Sequence, residues 1–182
     1  DGHTCGCPVR LVAGGGPAGL VTGLYAARAG LDVVVADRRQ GPIDKACGEG
    51  LMPHTVAQLD GLGIHPHGKP FRGITYLDET RRVDAGFRCG VGLGVRRTTL
   101  HAALLDAASA AGVRLVHTDI GSITQDSTSV RCGELQARYL AAAEAPGLVR
   151  AAGVEASSGD LVRAVVAALR PVRASADGAA WA

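Results

Sequence analysis

The chain has 182 residues, a formal net charge of +2 and an apolar content of 47%. It is long enough for one domain with its own core, and its charge balance makes no case for nucleic acid. No run reaches the ~18 apolar residues of a membrane span, and five scattered cysteines without a CxxC pair read as reduced thiols in a cytoplasmic protein.

The first elements fall in residues 9–37, VRLVAGGGPAGLVTGLYAARAGLDVVVAD. An apolar run over Val9–Ala13 predicts a strand, and the glycines Gly14, Gly16 and Gly19 predict a tight turn into a helix. A second apolar run, Val33–Ala36, ends on the acid Asp37. This is the spacing of a dinucleotide-binding βαβ unit. Gly14 allows the chain to reverse, Gly16 lets a diphosphate approach the backbone, and Gly19 lets the helix pack on the strand. Pro17 suits the first helical turn, where its missing N–H would be unpaired anyway. Free N–H groups and the positive end of the helix dipole then face the phosphates. Asp37 follows Gly14 by 23 residues, near the roughly 20 expected of an acid that holds ribose hydroxyls. The competing reading is a plain βαβ packing turn.

Beyond Arg38-Arg39 comes a polar loop over residues 40–53, and residues 54–63 predict a short helix ended by Gly61 and Gly63. Residues 71–95 alternate apolar and polar and contain several glycines, which predicts a hairpin or short meander. Arg96-Arg97-Thr98-Thr99 leads into a helix with Leu100, Leu104 and Ala108 spaced by four. Val113–His117 reads as a strand, followed by short β runs at Ile120–Ile123, Ser129–Cys132 and Tyr139–Ala143. An alanine-rich tail begins near residue 144, with a helix expected over residues 161–169. The expected organisation is therefore a domain over residues 1–143 and a divergent tail over residues 144–182. A nicotinamide-type domain usually continues from its second strand into another helix. The loop and meander here favour a flavin-type fold.

The segment Lys45-Ala46-Cys47-Gly48-Glu49-Gly50-Leu51-Met52-Pro53 resembles the loop after the first FAD motif of geranylgeranyl reductase-like flavoproteins, neighbours of the aromatic-hydroxylase type of FAD monooxygenase. Residues 94–104, GVRRTTLHAAL, are similar to the same family's R-x-x-L helix start. The resemblance covers residues 9–143, with the motifs in the family's order. It implies an α/β fold: a Rossmann-like, glutathione-reductase-like FAD-binding βαβ core carrying an inserted antiparallel meander. It implies tightly bound, noncovalent FAD. Gly14, Gly16, Pro17, Ala18 and Gly19 would cradle the diphosphate, and Asp37 would hold the adenosine ribose with Arg38 beside it. Cys47, Gly48 and Gly50 would lie along the cofactor toward its flavin half, Arg97 would reach it from its helix, and Gly121 would sit near the adenine. The family's ADGxxSxxR signature is replaced by residues 141–150, AAAEAPGLVR, and its GDAAG turn is missing. The C-terminal part is therefore expected to be incomplete.

The function implied is that of an FAD-dependent oxidoreductase. NAD(P)H would be the donor, and an apolar small molecule would have a C=C bond reduced or be hydroxylated. A second reading is an FAD-binding remnant without turnover, and a third is an NAD(P)-dependent dehydrogenase. Cys47 is either a group beside the flavin or simply a small residue in a loop that passes the cofactor. Lys45 and Arg97 could pair with phosphates or with the reduced flavin's charge, or be surface charges. Arg38-Arg39 could read a 2′-phosphate, but Asp37 would repel one. His65-Pro66-His67 reads as a turn rather than a metal site, and Cys5-Gly6-Cys7 with His3 is too little for zinc.

Overall fold

Val33–Asp37 is buried along its whole length, as a central parallel strand covered on both faces must be. A computed structural model describes residues 10–44 and 49–143. In chain order the elements are β1 (Arg10–Ala13), α1 (Pro17–Arg28), β2 (Val33–Asp37), β3 (Gly50–Leu51), α2 (Pro53–Gly61), β4 (Lys69–Phe71), β5 (Gly73–Leu77) and β6 (Arg82–Gly86). They continue as β7 (Gly92–Gly94), α3 (Arg97–Ala110), β8 (Arg114–His117), β9 (Ile123–Gln125), β10 (Val130–Cys132), β11 (Leu135–Ala137) and β12 (Tyr139–Ala142). The chain divides into two units, one up to Gln40 and again from Ala108, the other Gly41–Ala107.

The first unit is layered. Its parallel sheet has the order β12-β1-β2-β8, with Leu11 opposite Val34 and Val35 opposite Leu115. On one face lies α1, which buries Leu20 and Leu24, each worth roughly 1.5–3 kcal/mol of apolar transfer. Gly23 brings this helix onto the strands, where an added Cβ would stand 2.8 Å from Val35 Cγ2 and 3.4 Å from Val113 Cγ1. On the other face the antiparallel sheet β9-β10-β11 closes a core of Leu11, Val34, Ala36, Val130, Cys132 and Ala137. Alternation along β2 does this sorting, since successive side chains point to opposite faces.

The second unit holds the antiparallel sheet β3-β7-β4, the hairpin β5-β6, α2 and most of α3. The hairpin pairs Ile74 with Ala85 and Tyr76 with Val83. Of the hairpin or short meander expected over residues 71–95, the hairpin β5-β6 is present, while β7 joins the separate sheet β3-β7-β4. The short strands β3 and β4, which pair with β7, come in addition.

The three helices of the described residues stop the same way. Gly30, Gly63 and Gly112 take positive φ of 77°, 69° and 82°. The next residue, Leu31, Ile64 or Val113, donates its N–H back to Ala26, Leu59 or Ala108 respectively. This is the Schellman arrangement, in which glycine adopts the left-handed conformation at no Cβ cost. The run expected at Ile120–Ile123 begins only at Ile123, and β11 had no counterpart in the sequence reading. The expected helix over residues 161–169, the tail from 144, Val9, and the loop residues Lys45, Cys47 and Gly48 lie outside the described residues. Among the described residues no helix is long and apolar enough to cross a membrane.

Candidate functional site

Where β1 ends, Gly14 takes φ 108° and donates its N–H to Ala36 O at 2.8 Å. The turn is thereby pinned to the neighbouring strand. Gly16 then stands extended at the N-cap of α1, with φ −69° and ψ 176°. No side chain caps this helix, Pro17 opens it, and its first turn carries no acid. Helix start and strand end touch through backbone. A Cβ on Gly19 would lie 1.8 Å from Gly14 O, so only glycine permits the approach. A helix N-terminus left without a carboxylate or hydroxyl cap is an anion-binding end, with backbone N–H groups and the dipole acting together.

Asp37, at the end of β2, faces this turn. Its Oδ2 accepts the Gly15 N–H at 2.8 Å. Its Oδ1 accepts the Arg39 backbone N–H at 2.8 Å. The Arg39 guanidinium completes a fork, Nε to Oδ1 at 3.0 Å and Nη2 to Oδ2 at 3.1 Å. Burial alone would raise the Asp37 pKa, but the hydrogen bonds from Arg39 and Gly15 outweigh it and hold the carboxyl below its ordinary value. The carboxylate is therefore ionised, buried and fixed in place.

A small open cleft lies beside it, walled by Gly14, Ala36, Asp37, Arg38, Thr118, Asp119 and Ile120. These are the ends of β1 and β2 and the segment after β8, all at the carboxyl edge of the parallel sheet. The Thr118 N–H donates to Asp37 O at 3.1 Å, which fixes the third wall. Ligands of open α/β sheets bind at this edge. Of the residues expected from the sequence, Gly14, Asp37 and Arg38 meet at this cleft. Gly16, Pro17, Ala18 and Gly19 form the adjoining helix start. Gly121 is exposed and lies one residue beyond the wall made by Ile120. Arg39 was read only as half of a basic pair that Asp37 would keep from a 2′-phosphate, and Thr118 and Asp119 were not singled out. The one available signal was that β8, as a third parallel strand, would bring residues after His117 to the same edge.

Two further expected residues belong to the second unit. Gly50 opens β3, and Arg97 opens α3. The Arg97 N–H donates to Glu49 Oε1 at 3.1 Å, and Glu49 O accepts the Val95 N–H at 2.7 Å. Glu49 takes φ 49°, the one positive value outside glycine among the described residues. Arg97 Nε is buried with no hydrogen-bond partner among the described residues. A buried donor left alone costs about 1–3 kcal/mol, so this one is a position where an oxygen-rich group would fit. His65 pairs its Nδ1 with Asp60 Oδ1 at 3.0 Å, and no group of three His, Cys, Asp or Glu capable of holding a metal occurs among the described residues.

Known proteins resemble this chain in family and fold. A family profile described as an FAD binding domain matches residues 7–159. Over 54 residues the chain is 57% identical to a menaquinone reductase of Mycolicibacterium smegmatis, a stretch that is 30% of this chain and 13% of that protein. Among solved structures, a flavoprotein/dehydrogenase from Cytophaga hutchinsonii superposes with a TM-score of 0.68 at 23% identity, covering 84% of this chain and 43% of that one. The halogenase PltM, solved with phloroglucinol and FAD, gives a TM-score of 0.65 at 19% identity, covering 84% and 37% respectively. The chain thus spans less than half the length of these solved relatives.

Proposed function

The chain belongs to the FAD binding domain family, that of the aromatic-hydroxylase-type flavoproteins, and from that premise we propose that it holds FAD for a reduction. NAD(P)H is the electron donor in this reading, and the acceptor is a C=C bond of an apolar, quinone-like substrate. One observation carries the cofactor assignment. An uncapped helix N-terminus, a glycine contact that no Cβ could enter, and an ionised carboxylate meet at the carboxyl edge of a parallel sheet. The choice of reduction over hydroxylation is supported by the stretch shared with a menaquinone reductase.

Each group has a task in this reading. The N–H groups of Ala18 and Gly19 meet diphosphate oxygens, with Gly14 and Gly16 leaving room and Pro17 setting the helix start. Asp37 accepts the adenosine ribose hydroxyls, and Arg38 and Gly121 flank the adenosine end. The family resemblance would assign Gly50, with Cys47 and Gly48, to the flavin half of the cofactor, and Arg97 would be a donor to it. When bound, FAD supplies reversible two-electron transfer between donor and substrate. The protein's contribution is to hold, orient and screen it.

The test is a titration of the purified chain with FAD, followed by visible absorption and flavin fluorescence. Retained flavin that bleaches with NADPH and recovers with a menaquinone supports the reading. Retained flavin that does not bleach with NADPH indicates binding without turnover. Gly16→Val puts a branched side chain where the diphosphate must approach. Unchanged flavin retention in that variant would remove the site assignment.

A further inference from the structure

We infer that the Arg39 guanidinium is an internal stand-in for the cofactor's ribose, paired with the Asp37 carboxylate and leaving it when a nucleotide binds. The inference rests on the proposed role of Asp37 as the ribose acceptor. A carboxylate offers about four acceptor positions, and four N–H groups already point at this one. Two come from the backbone, Gly15 N–H to Oδ2 and Arg39 N–H to Oδ1. They are set by the turn and by the end of β2, and they hold the carboxylate where it stands. The other two come from the side chain of Arg39, one to each oxygen. A ribose presents two adjacent hydroxyls to such an acid, the same number of donors as the guanidinium fork. Ribose and guanidinium cannot both be accommodated, so binding is an exchange of two donors for two.

The side chain is suited to leave. Arg39 is 38% exposed where Asp37 is 8%, so water already reaches the guanidinium that would have to leave. Arg38, the neighbouring arginine, walls the cleft but is not part of the fork. Displacing Arg39 reduces the apparent affinity by the fraction of chains in which the carboxylate is closed. A partly exposed ion pair of this kind predicts a factor of roughly two to five.

The experiment measures the FAD dissociation constant of the whole 182-residue chain by flavin fluorescence, for the parent, Arg39→Met, Arg39→Lys, Asp37→Asn and Asp37→Asn with Arg39→Met. The expected result is two- to five-fold tighter binding for Arg39→Met, with Arg39→Lys in between. The gain vanishes in the Asp37→Asn background and shrinks with added salt, which screens the pair in the parent. Detectable binding in Arg39→Met but not in the parent also supports the inference. If Asp37→Asn weakens binding while Arg39→Met fails to strengthen it, the exchange is wrong and the ribose assignment stands. If Asp37→Asn binds as the parent does, the ribose assignment itself fails. Absence of FAD binding in every chain overturns both.

Discussion

Replacing Gly19 by alanine sets two effects of opposite sign against each other. Alanine is the better helix former by about 1 kcal/mol, so on propensity alone the variant is more stable. Packing says otherwise. The new Cβ would stand 1.8 Å from Gly14 O, and real Cβ atoms essentially never come closer than 3.0 Å, so the gap must open by at least 1.2 Å. The obstacle is a backbone oxygen whose residue is itself hydrogen-bonded to Ala36, so no rotamer change relieves it. On the far side Ala143 Cβ waits at 3.2 Å. The start of α1 must move off the sheet, and with it the buried Leu20 and Leu24. A gap of 0.5–1 Å already forfeits a quarter to a half of each dispersion contact. Overpacking of this kind costs about 1–3 kcal/mol, and the lost contacts add to it. The expected net loss is about 2–4 kcal/mol in urea unfolding, with weakened FAD retention. Gly61→Ala is the control, since nothing lies within 4 Å of its added Cβ. It should be neutral or stabilising by up to about 1 kcal/mol. A Gly19→Ala chain as stable as the parent would refute the contact between helix and turn.

Other outcomes follow from single side chains. Burial pushes the Cys132 thiol up to about 11, so alkylation at pH 8 read by peptide mass spectrometry should label the exposed Cys89 and spare Cys132 until the chain is unfolded. Hydrogen bonds from Thr128 and Ser129 hold Asp126 down to about 2. Its stabilisation is complete above the ordinary value near 3.8 and is lost as pH falls toward 2. Asp126→Ala should therefore differ from the parent at pH 6 and converge with it in that window; a constant gap would contradict this. Arg97→Met removes a buried Nε with no hydrogen-bond partner among the described residues, so the chain without added FAD should gain roughly 1 kcal/mol in thermal unfolding, while FAD affinity falls if this atom serves the cofactor.

What could be read in advance was what a single residue type imposes by itself. Gly14 and Gly19 announced the turn, the first because it takes a positive φ and the second because a Cβ there would meet Gly14 O. Gly63 announced the end of α2 because a left-handed residue can close it. β2 was visible as an unbroken apolar run because both its faces are covered. The unread parts depend on pairing between distant residues. β3 and β4 have two and three residues and exist only because β7 lies between them. A two-residue strand leaves no period to detect. Asp37 shows the same limit within the site. Its identity and spacing suggested a ribose acceptor, but the sequence did not reveal that Arg39 reaches back two residues to the same carboxylate. The pair Arg38-Arg39 looked like one basic feature. The fold separates it, with Arg38 on the cleft wall and Arg39 on the acid. A motif therefore specifies which group meets a ligand, while its occupied or available state is decided by neighbours that no spacing rule records.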